Sequence, residues 1–141
     1  MSRRPGAPGR PAGRDAGGWR GPGRVLDDGV SQCIFCRIVV GDIPADVVAS
    51  GQRVIAFRDL NPQAPTHVLV IPREHHENVG ALASSDPDAL TELVMIGVGI
   101  AEQESGGQFR LVFNTGVETG QSVFHVHGHV LGGRRMTWPP G

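Results

Sequence analysis

The segment Phe124 to Gly133, with the sequence FHVHGHVLGG, constrains this chain most, because three histidines alternate in it with apolar or small residues. A period of two is that of an extended strand, whose successive side chains point to opposite faces. The pattern therefore predicts a strand from Val123 to Leu131 with His125, His127 and His129 on one face. Same-face residues lie roughly 6.5 to 7 Å apart, which favours separate roles around one substrate over joint ligation of one metal ion.

The length and charge of the chain exclude several classes of protein. Its 141 residues are enough for one domain with a core of its own. The formal net charge is −1, so nothing in the total favours a nucleic acid or an anionic membrane as partner. No apolar run approaches the ~20 residues that span a bilayer, and the chain begins without the apolar segment of a secretory signal. We therefore expect a cytoplasmic protein.

Residues 1–30 differ from the rest of the chain in composition, because they are rich in Gly, Pro and Arg. Such a leader cannot bury enough surface to offset its ordering entropy, so we predict that it is disordered. The alternative is that translation begins later, near Val25 or Val30, and that the leader is not made. Residues 31–141 are expected to form the folded domain.

The folded part is predicted to contain about five strands, one long helix and a short N-terminal helix. The stretch after Cys33 favours the short helix, ended by Gly41 and Pro44. Asp86 and Pro87 are typical of the start of a helix, which should run to Glu104. The predicted strands are Asp46 to Ala49, Arg53 to Arg58, Thr66 to Pro72, Phe109 to Asn114 and Val123 to Leu131. Their hairpin-like connections indicate an antiparallel α+β fold, with Thr66 to Pro72 as its central strand.

A neutral imidazole is a good nucleophile when its other nitrogen donates a hydrogen bond that fixes the tautomer. His127, in the middle of the triad, is the natural candidate, and phosphorus is the centre that a histidine nucleophile suits best. Gly120, Gln121 and Ser122 precede the triad and supply close backbone approach with amide and hydroxyl donors for phosphoryl oxygens. Ser122 could also protonate a leaving group.

The motif HVHGHVL resembles that of the histidine triad (HIT) superfamily. The stretches DLNPQAPTHVLVIP and GQSVFHVHGHVLGGR, with the terminal WPPG, are similar to its Hint branch, the histidine triad nucleotide-binding proteins. The resemblance covers Cys33 to Gly141. It implies a purine nucleoside phosphoramidase that releases AMP from adenosine 5′-phosphoramidates or aminoacyl-adenylates through a nucleotidyl-histidine intermediate. The alternatives are a nucleotide-binding interaction protein with incidental catalysis and a dinucleoside polyphosphate hydrolase.

The resemblance also implies roles for individual residues. His127 would attack the α-phosphorus, His125 and His129 would orient it and bind phosphate, and His67 would complete the imidazole cluster. The phosphate and leaving group would be contacted by Asn114, Gly120, Gln121 and Ser122. Asp59 would bind the ribose hydroxyls, and the purine would lie against Leu60, Phe57, Ile34, Phe35 and Ile43. The family is typically a homodimer, formed through the long helix and a strand, with the C-terminal tail and Trp138 near the partner's site.

The CxxC pair Cys33 and Cys36 has two interpretations. With His67 and His125 it would make a Cys2His2 set suited to structural zinc, as in some members of the family. The alternative is two free buried thiols, and no cofactor is expected to be required for catalysis. His75 and His76, in a polar connector, are expected to be exposed loop histidines.

Gly128 departs from the motif, which usually has a bulky hydrophobic residue between the second and third histidines. A glycine inside a strand weakens it. We therefore expect a gap behind the triad and a less rigid strand.

Overall fold

The computed structural model describes residues 32–141, so the predicted leader lies outside the described residues. Within this range, three α-helices and five strands follow in chain order. The helices are α1 (Ile34–Val39), α2 (Val79–Ser85) and α3 (Pro87–Glu104). The strands are β1 (Val47–Ser50), β2 (Val54–Arg58), β3 (Thr66–Pro72), β4 (Phe109–Val112) and β5 (Gly128–Gly132). No helix among the described residues is both long and apolar enough to cross a membrane.

The five strands form one antiparallel sheet with the order β1-β2-β3-β5-β4. The predicted α+β class and the central position of β3 are therefore confirmed. The pairing of β3 with β5 sets Leu69 opposite His129 and His67 opposite Leu131. This register brings the start of the central strand beside the end of the histidine triad, although the two lie more than 60 residues apart in the chain.

The two faces of the sheet bury different sets of residues, because side chains alternate along each strand. On one face, Val68, Val70 and Val130 pack with Leu93 and Ile100 of α3. The opposite face is covered by the short helix α1. Its cluster contains Phe35, Ile55, Phe57, Leu69 and Ile71. His67 alternates with Val68 and so shares the α1 face, which is the face that carries the site described below.

Helix α3 is anchored at both ends. The Asp86 carboxylate accepts from the Ala89 N–H and Pro87 occupies the first turn, as predicted. At the other end, Glu104 accepts two hydrogen bonds from the Arg58 guanidinium, at 2.9 and 2.7 Å, and one from Thr66. A bidentate pair of this kind fixes geometry as well as adding energy. The end of α3 is thus tied to the strands that lead to Asp59 and His67.

Two predictions about local structure are wrong, and one helix was not predicted. The histidine-bearing strand begins only at Gly128, so His125 and His127 lie in an irregular approach to β5. Residues Val79–Ser85, where no helix was predicted, form α2, and the side chain of the preceding Asn78 accepts from the Ala81 N–H.

The expected gap behind Gly128 is also absent. A Cβ at this position would lie 3.0 Å from Leu111 Cδ1 and 3.2 Å from both Leu93 Cδ2 and Phe113 Cε1. The space that a larger residue would occupy is therefore filled by side chains of α3 and of the β4 region.

Candidate active site and metal cluster

Residues Gln121 to His127, here called the catalytic segment, are held to the connector that follows β3. The His125 ring donates from Nε2 to the Pro72 carbonyl at 2.8 Å, and the Val126 N–H donates to the His76 carbonyl at 2.8 Å. The side chain of Gln121 donates to the Glu77 carbonyl, also at 2.8 Å. These bonds replace strand pairing over a stretch that precedes β5.

His127 is oriented by the main chain of the segment itself. Its Nδ1 lies 2.9 Å from the His125 carbonyl oxygen, which can only accept. Nδ1 therefore carries the proton, and the lone pair is on Nε2. The ring packs edge-on against Phe35, with centroids 5.1 Å apart, and its centroid lies 5.0 Å from that of His129. The ring thus presents Nε2, which has no hydrogen-bond partner among the described residues, and an available ring nitrogen is what a nucleophile requires.

His67 and His129 form a hydrogen-bonded pair beside His127. The Gln63 N–H donates to His67 Nδ1 at 3.0 Å, so the proton of His67 must be on Nε2. That nitrogen lies 2.9 Å from His129 Nδ1, which accepts from it, and 3.4 Å from Asp59 Oδ2. His129 consequently carries its proton on Nε2, where it can act as a donor.

Burial disfavours the charged form of both members of this pair. It lowers the pKa of His129 from 6.5 to about 4, helped by repulsion from His127 and His67. Burial also lowers the pKa of His67, with the nearby Asp59 carboxylate acting in the opposite direction. Neutral imidazoles with assigned tautomers are what the hydrogen-bond pattern requires.

A second cluster lies behind the catalytic segment and contains both cysteines. His125 Nδ1 is 3.4 Å from each of Cys33 Sγ and Cys36 Sγ, and His75 Nδ1 is 3.3 Å from Cys36 Sγ. The donor atoms of these four residues all lie within 4.8 Å of one another. Because His125 Nε2 donates to Pro72, its Nδ1 has a lone pair directed at the sulfurs.

The four donors fit a zinc ion. Zn–S bonds of about 2.3 Å and Zn–N bonds of about 2.0 Å in a tetrahedral site imply S···N separations of about 3.5 Å, close to those observed. Burial raises the pKa of the Cys36 thiol from 9.0 to about 12, with the neighbouring Cys33 adding to the shift. A bound metal would favour the thiolate instead.

The predicted zinc set is wrong at one position, because His75 rather than His67 lies with the cysteines. His67 is directed to His129 and Asp59, on the other side of the triad. His75 had been expected to be an exposed loop histidine, but it is half-buried, with its ring centroid 5.0 Å from that of His125. The sequence feature that could have indicated the burial of His75 is its position just after the buried central strand. His76 lies outside both clusters, beside Glu74.

The predicted purine-binding residues are not equally exposed. Phe35 and Phe57 are buried and pack edge-to-face, with centroids 5.6 Å apart, whereas Ile43 is half-buried. Ile34 is 46% exposed and Leu60 is fully exposed. Phe35 and Phe57 are thus part of the hydrophobic core.

The predicted phosphate-binding residues also differ in their exposure to solvent. Ser122 and Gly120 are exposed, and Asn114 is half-buried. Gln121 is only 4% exposed, and its amide bonds to main-chain groups of Gly116, Glu77 and Val123. The structure therefore directs the Gln121 side chain into the loop and away from the predicted phosphate contact.

Comparison with known proteins gives a family match over most of the chain. The model of the family described as "Scavenger mRNA decapping enzyme C-term binding" matches residues 32–137. A HIT-like protein of Synechocystis, itself uncharacterized, is 45% identical over 109 residues, which is 77% of this chain and 96% of that protein. A protein of Zea mays named a 14 kDa zinc-binding protein is 43% identical over 121 residues, covering 84% of this chain and 93% of its own length.

Solved structures agree with the match. A HIT family hydrolase from Legionella pneumophila has a TM-score of 0.74 and 44% identity, and the alignment covers 78% of this chain and 100% of that one. A HIT family hydrolase from Clostridium thermocellum has a TM-score of 0.72 and 38% identity, with coverage of 80% and 96%. The antiparallel sheet and long helix are therefore shared with proteins named as hydrolases.

Proposed function

Because the chain belongs to the histidine triad superfamily, we propose that it is a hydrolase of the Hint type, which releases AMP from adenosine 5′-phosphoramidates or aminoacyl-adenylates. The observation that carries the proposal is the orientation of His127, whose Nδ1–H donates to the His125 carbonyl and leaves Nε2 free. The names of the related solved structures support hydrolysis in general. The Hint-like residues around the triad support the choice of substrate.

The proposed reaction has two steps. His127 Nε2 attacks the α-phosphorus, a nitrogen–phosphorus bond forms, and the bond to the leaving group breaks with its electron pair going to the leaving nitrogen or oxygen. Ser122 or water supplies a proton to that atom. Water then attacks the nucleotidyl-histidine, AMP leaves, and the imidazole is restored. The His129 Nε2–H is proposed to donate to a phosphoryl oxygen as charge develops on it.

His67 holds His129 in the tautomer that this role needs. Its Nε2–H donates to His129 Nδ1, so the remaining proton of His129 is on the nitrogen that faces away from the pair. Asp59, whose Oδ1 accepts from the Asn61 N–H and whose Oδ2 lies 3.4 Å from His67 Nε2, is proposed to bind the ribose hydroxyls with the remaining lone pairs of its carboxylate. Phe35 and Phe57 are proposed to lie along the purine.

We also propose that Cys33, Cys36, His75 and His125 hold a structural zinc ion. The zinc-binding name of the Zea mays relative supports this. The ion would cross-link α1, the connector after β3 and the catalytic segment. The cytoplasm is the proposed location, since reducing conditions there keep both cysteines available as ligands.

A homodimer is the proposed assembly. β4 ends the sheet order, and Met95 on α3 is 59% exposed, so the helix and the strand named by the family resemblance both offer surface to a second copy. Trp138, near the C-terminus, is 80% exposed with the Arg110 guanidinium 5.8 Å from its ring centroid. A tail of this kind is available to influence the leaving group.

The test is hydrolysis of adenosine 5′-phosphoramidate by the wild-type protein and by His127→Ala. We expect wild-type turnover on the order of 1 s⁻¹ or more and a loss of at least about 10³-fold in the variant. Mass spectrometry of acid-free quenched reactions should find AMP on His127. His76→Ala, which removes a histidine outside both clusters, is the matched control.

Binding of AMP by a wild-type protein that releases none from any of the three substrate classes would instead favour a nucleotide-binding interaction protein. Turnover of dinucleoside polyphosphates alone would favour the other alternative, a dinucleoside polyphosphate hydrolase. Unchanged turnover in His127→Ala would exclude the covalent mechanism.

A further inference from the structure

Gln121 is a buried polar side chain whose hydrogen bonds within residues 32–141 all go to main-chain groups. Its Oε1 accepts from the Gly116 N–H at 2.9 Å. Its Nε2 donates to the carbonyls of Glu77, at 2.8 Å, and Val123, at 3.2 Å. Both N–H groups of the carboxamide are therefore used within the protein. A side chain with no N–H left to donate is poorly suited to the predicted phosphate contact.

These bonds close a loop. The Gln121 N–H donates to the Gly116 carbonyl at 3.1 Å, so Gly116 and Gln121 are joined once through the main chain and once through the side chain. Between them the chain makes a 3-10 turn at Val117–Thr119 and passes through Gly120 with φ 99°. Val117, at the tip, is 76% exposed. The tip lies in solvent, so the closure depends on the neck formed by Gly116 and Gln121.

The same side chain ties one end of the catalytic segment to the connector. The other end is held at His125 and Val126, through the carbonyls of Pro72 and His76. Glu77, the Gln121 partner, is the last of these carbonyls along the connector. Ser122 lies next to this attachment, whereas the orientation of His127 depends on the His125 carbonyl at the opposite end.

We propose that Gln121 is a positioning residue that fixes Ser122 and Asn114 on the two sides of the loop neck, and does not itself contact the phosphate. This rests on the proposed hydrolysis, in which Ser122 Oγ–H protonates the departing nitrogen and regains a proton from water. Loss of the Gln121 bonds should disturb leaving-group protonation while sparing the nucleophile. A direct phosphate contact would instead affect every substrate equally, because the phosphate is common to all.

The experiment uses Gln121→Met, which keeps the length of the side chain and removes its hydrogen bonds. Two substrates are compared, an AMP amide of an alkylamine, which needs protonation to leave, and the AMP ester of p-nitrophenol, which does not. We expect kcat for the amide to fall about 10- to 100-fold, within the range of general acid catalysis, with the ester changed less than about threefold. In a Ser122→Ala background, Gln121→Met should add little. Gln52→Met, at an exposed glutamine of the β1–β2 turn, is the control.

Amide hydrogen exchange supplies a measurement that does not depend on catalysis. In Gln121→Met, the amides of Gly120 and of residue 121 should exchange faster, and that of Val126 should keep its protection. Equal losses of kcat on both substrates with unchanged exchange would overturn the proposal in favour of a phosphate contact. If the wild-type protein hydrolyses neither substrate, the proposed function fails, and hydrogen exchange alone tests the role of Gln121. Unchanged protection of the Gly120 amide in Gln121→Met would overturn the proposal that Gln121 fixes the loop neck, and lost protection would support it.

Discussion

The hydrogen-bond partners of the histidines decide where each ring carries its proton. A main-chain carbonyl faces His127 Nδ1 and a main-chain N–H faces His67 Nδ1. The two rings are consequently opposite tautomers, one with a free Nε2 and the other with an Nε2–H. Residue types alone could not predict this division, because it depends on which backbone group meets each ring.

Neutral histidines buried in the folded protein should make it sensitive to acid. The pKa of His129 is lowered from 6.5 to about 4, and the groups facing it are His127, His67 and Asp59. Between these pH values the unfolded chain binds a proton that the folded chain does not. The free energy of unfolding should therefore fall as pH decreases from about 6.5 to 4, and this contribution should be constant above 6.5.

Urea denaturation of metal-stripped protein at a series of pH values measures this effect. His129→Gln removes the titrating group, so its unfolding free energy should decline less steeply than that of the wild type over the same interval. Parallel curves for the two proteins would show that His129 is not the group responsible.

Gly128 is closely packed, so a larger side chain at this position would overlap its neighbours. Its Cβ position is within 3.2 Å of Leu93, Leu111 and Phe113, so Gly128→Leu should lower the free energy of unfolding by about 1 to 3 kcal/mol through overpacking. Leu111→Ala should make room and recover part of that loss when the two changes are combined. Chemical denaturation of both single variants and the double variant gives the coupling energy, and a purely additive result would contradict the contact.

The helices and strands differ in how strongly the sequence predicts them. The apolar run Thr66–Pro72 and the capped helix Pro87–Glu104 carry strong local signals, and both match the structure. The short helix Val79–Ser85 was missed because only Leu82 in it is buried, which leaves little periodicity to detect. The alternation of the triad was extended too far toward the N-terminus, since His125 turns toward the cysteines and leaves the strand pattern.

Metal analysis can separate the observed cluster from the set expected from sequence. We expect the purified protein to contain stoichiometric zinc, and Cys33→Ser and His75→Ala to lose most of it. His67→Gln should retain it, because His67 bonds to His129 and Gln63. Elemental analysis provides the measurement, and zinc loss in His67→Gln with retention in His75→Ala would contradict the assignment.

Removal of the ion should also lower the thermal midpoint of unfolding. The cluster joins α1, the connector and the catalytic segment, so a chelator should destabilise all three together. The Cys33→Ser protein should show no further decrease on chelation.

The sheet order brings distant parts of the chain into one site. His67 and His129 meet because β5 inserts between β3 and β4. The sequence singled out the triad histidines and His67, and the structure brings His67, His127 and His129 together. The pairing of His75 with the cysteines could not be predicted from the sequence, because three segments far apart in the chain must fold before the ligands converge.

The proposed homodimer can be tested by placing a charge on the exposed face of α3. Met95→Glu should convert a dimer into a monomer in sedimentation velocity at micromolar concentration, since a carboxylate would be desolvated at the interface. Val40→Glu alters a residue that is 71% exposed at the end of α1 and should leave the dimer intact. A monomeric wild-type protein, or dissociation caused equally by both variants, would argue against this interface.

His125 contributes its ring to the cysteine cluster and its carbonyl to His127. A carbonyl belongs to every amino acid, whereas an imidazole does not. Replacement of the thiols, and of the imidazole at position 125, would therefore remove the proposed metal ligands and leave His127 its acceptor. The proposed metal site and the orientation of His127 can thus change independently, although one residue contributes to both.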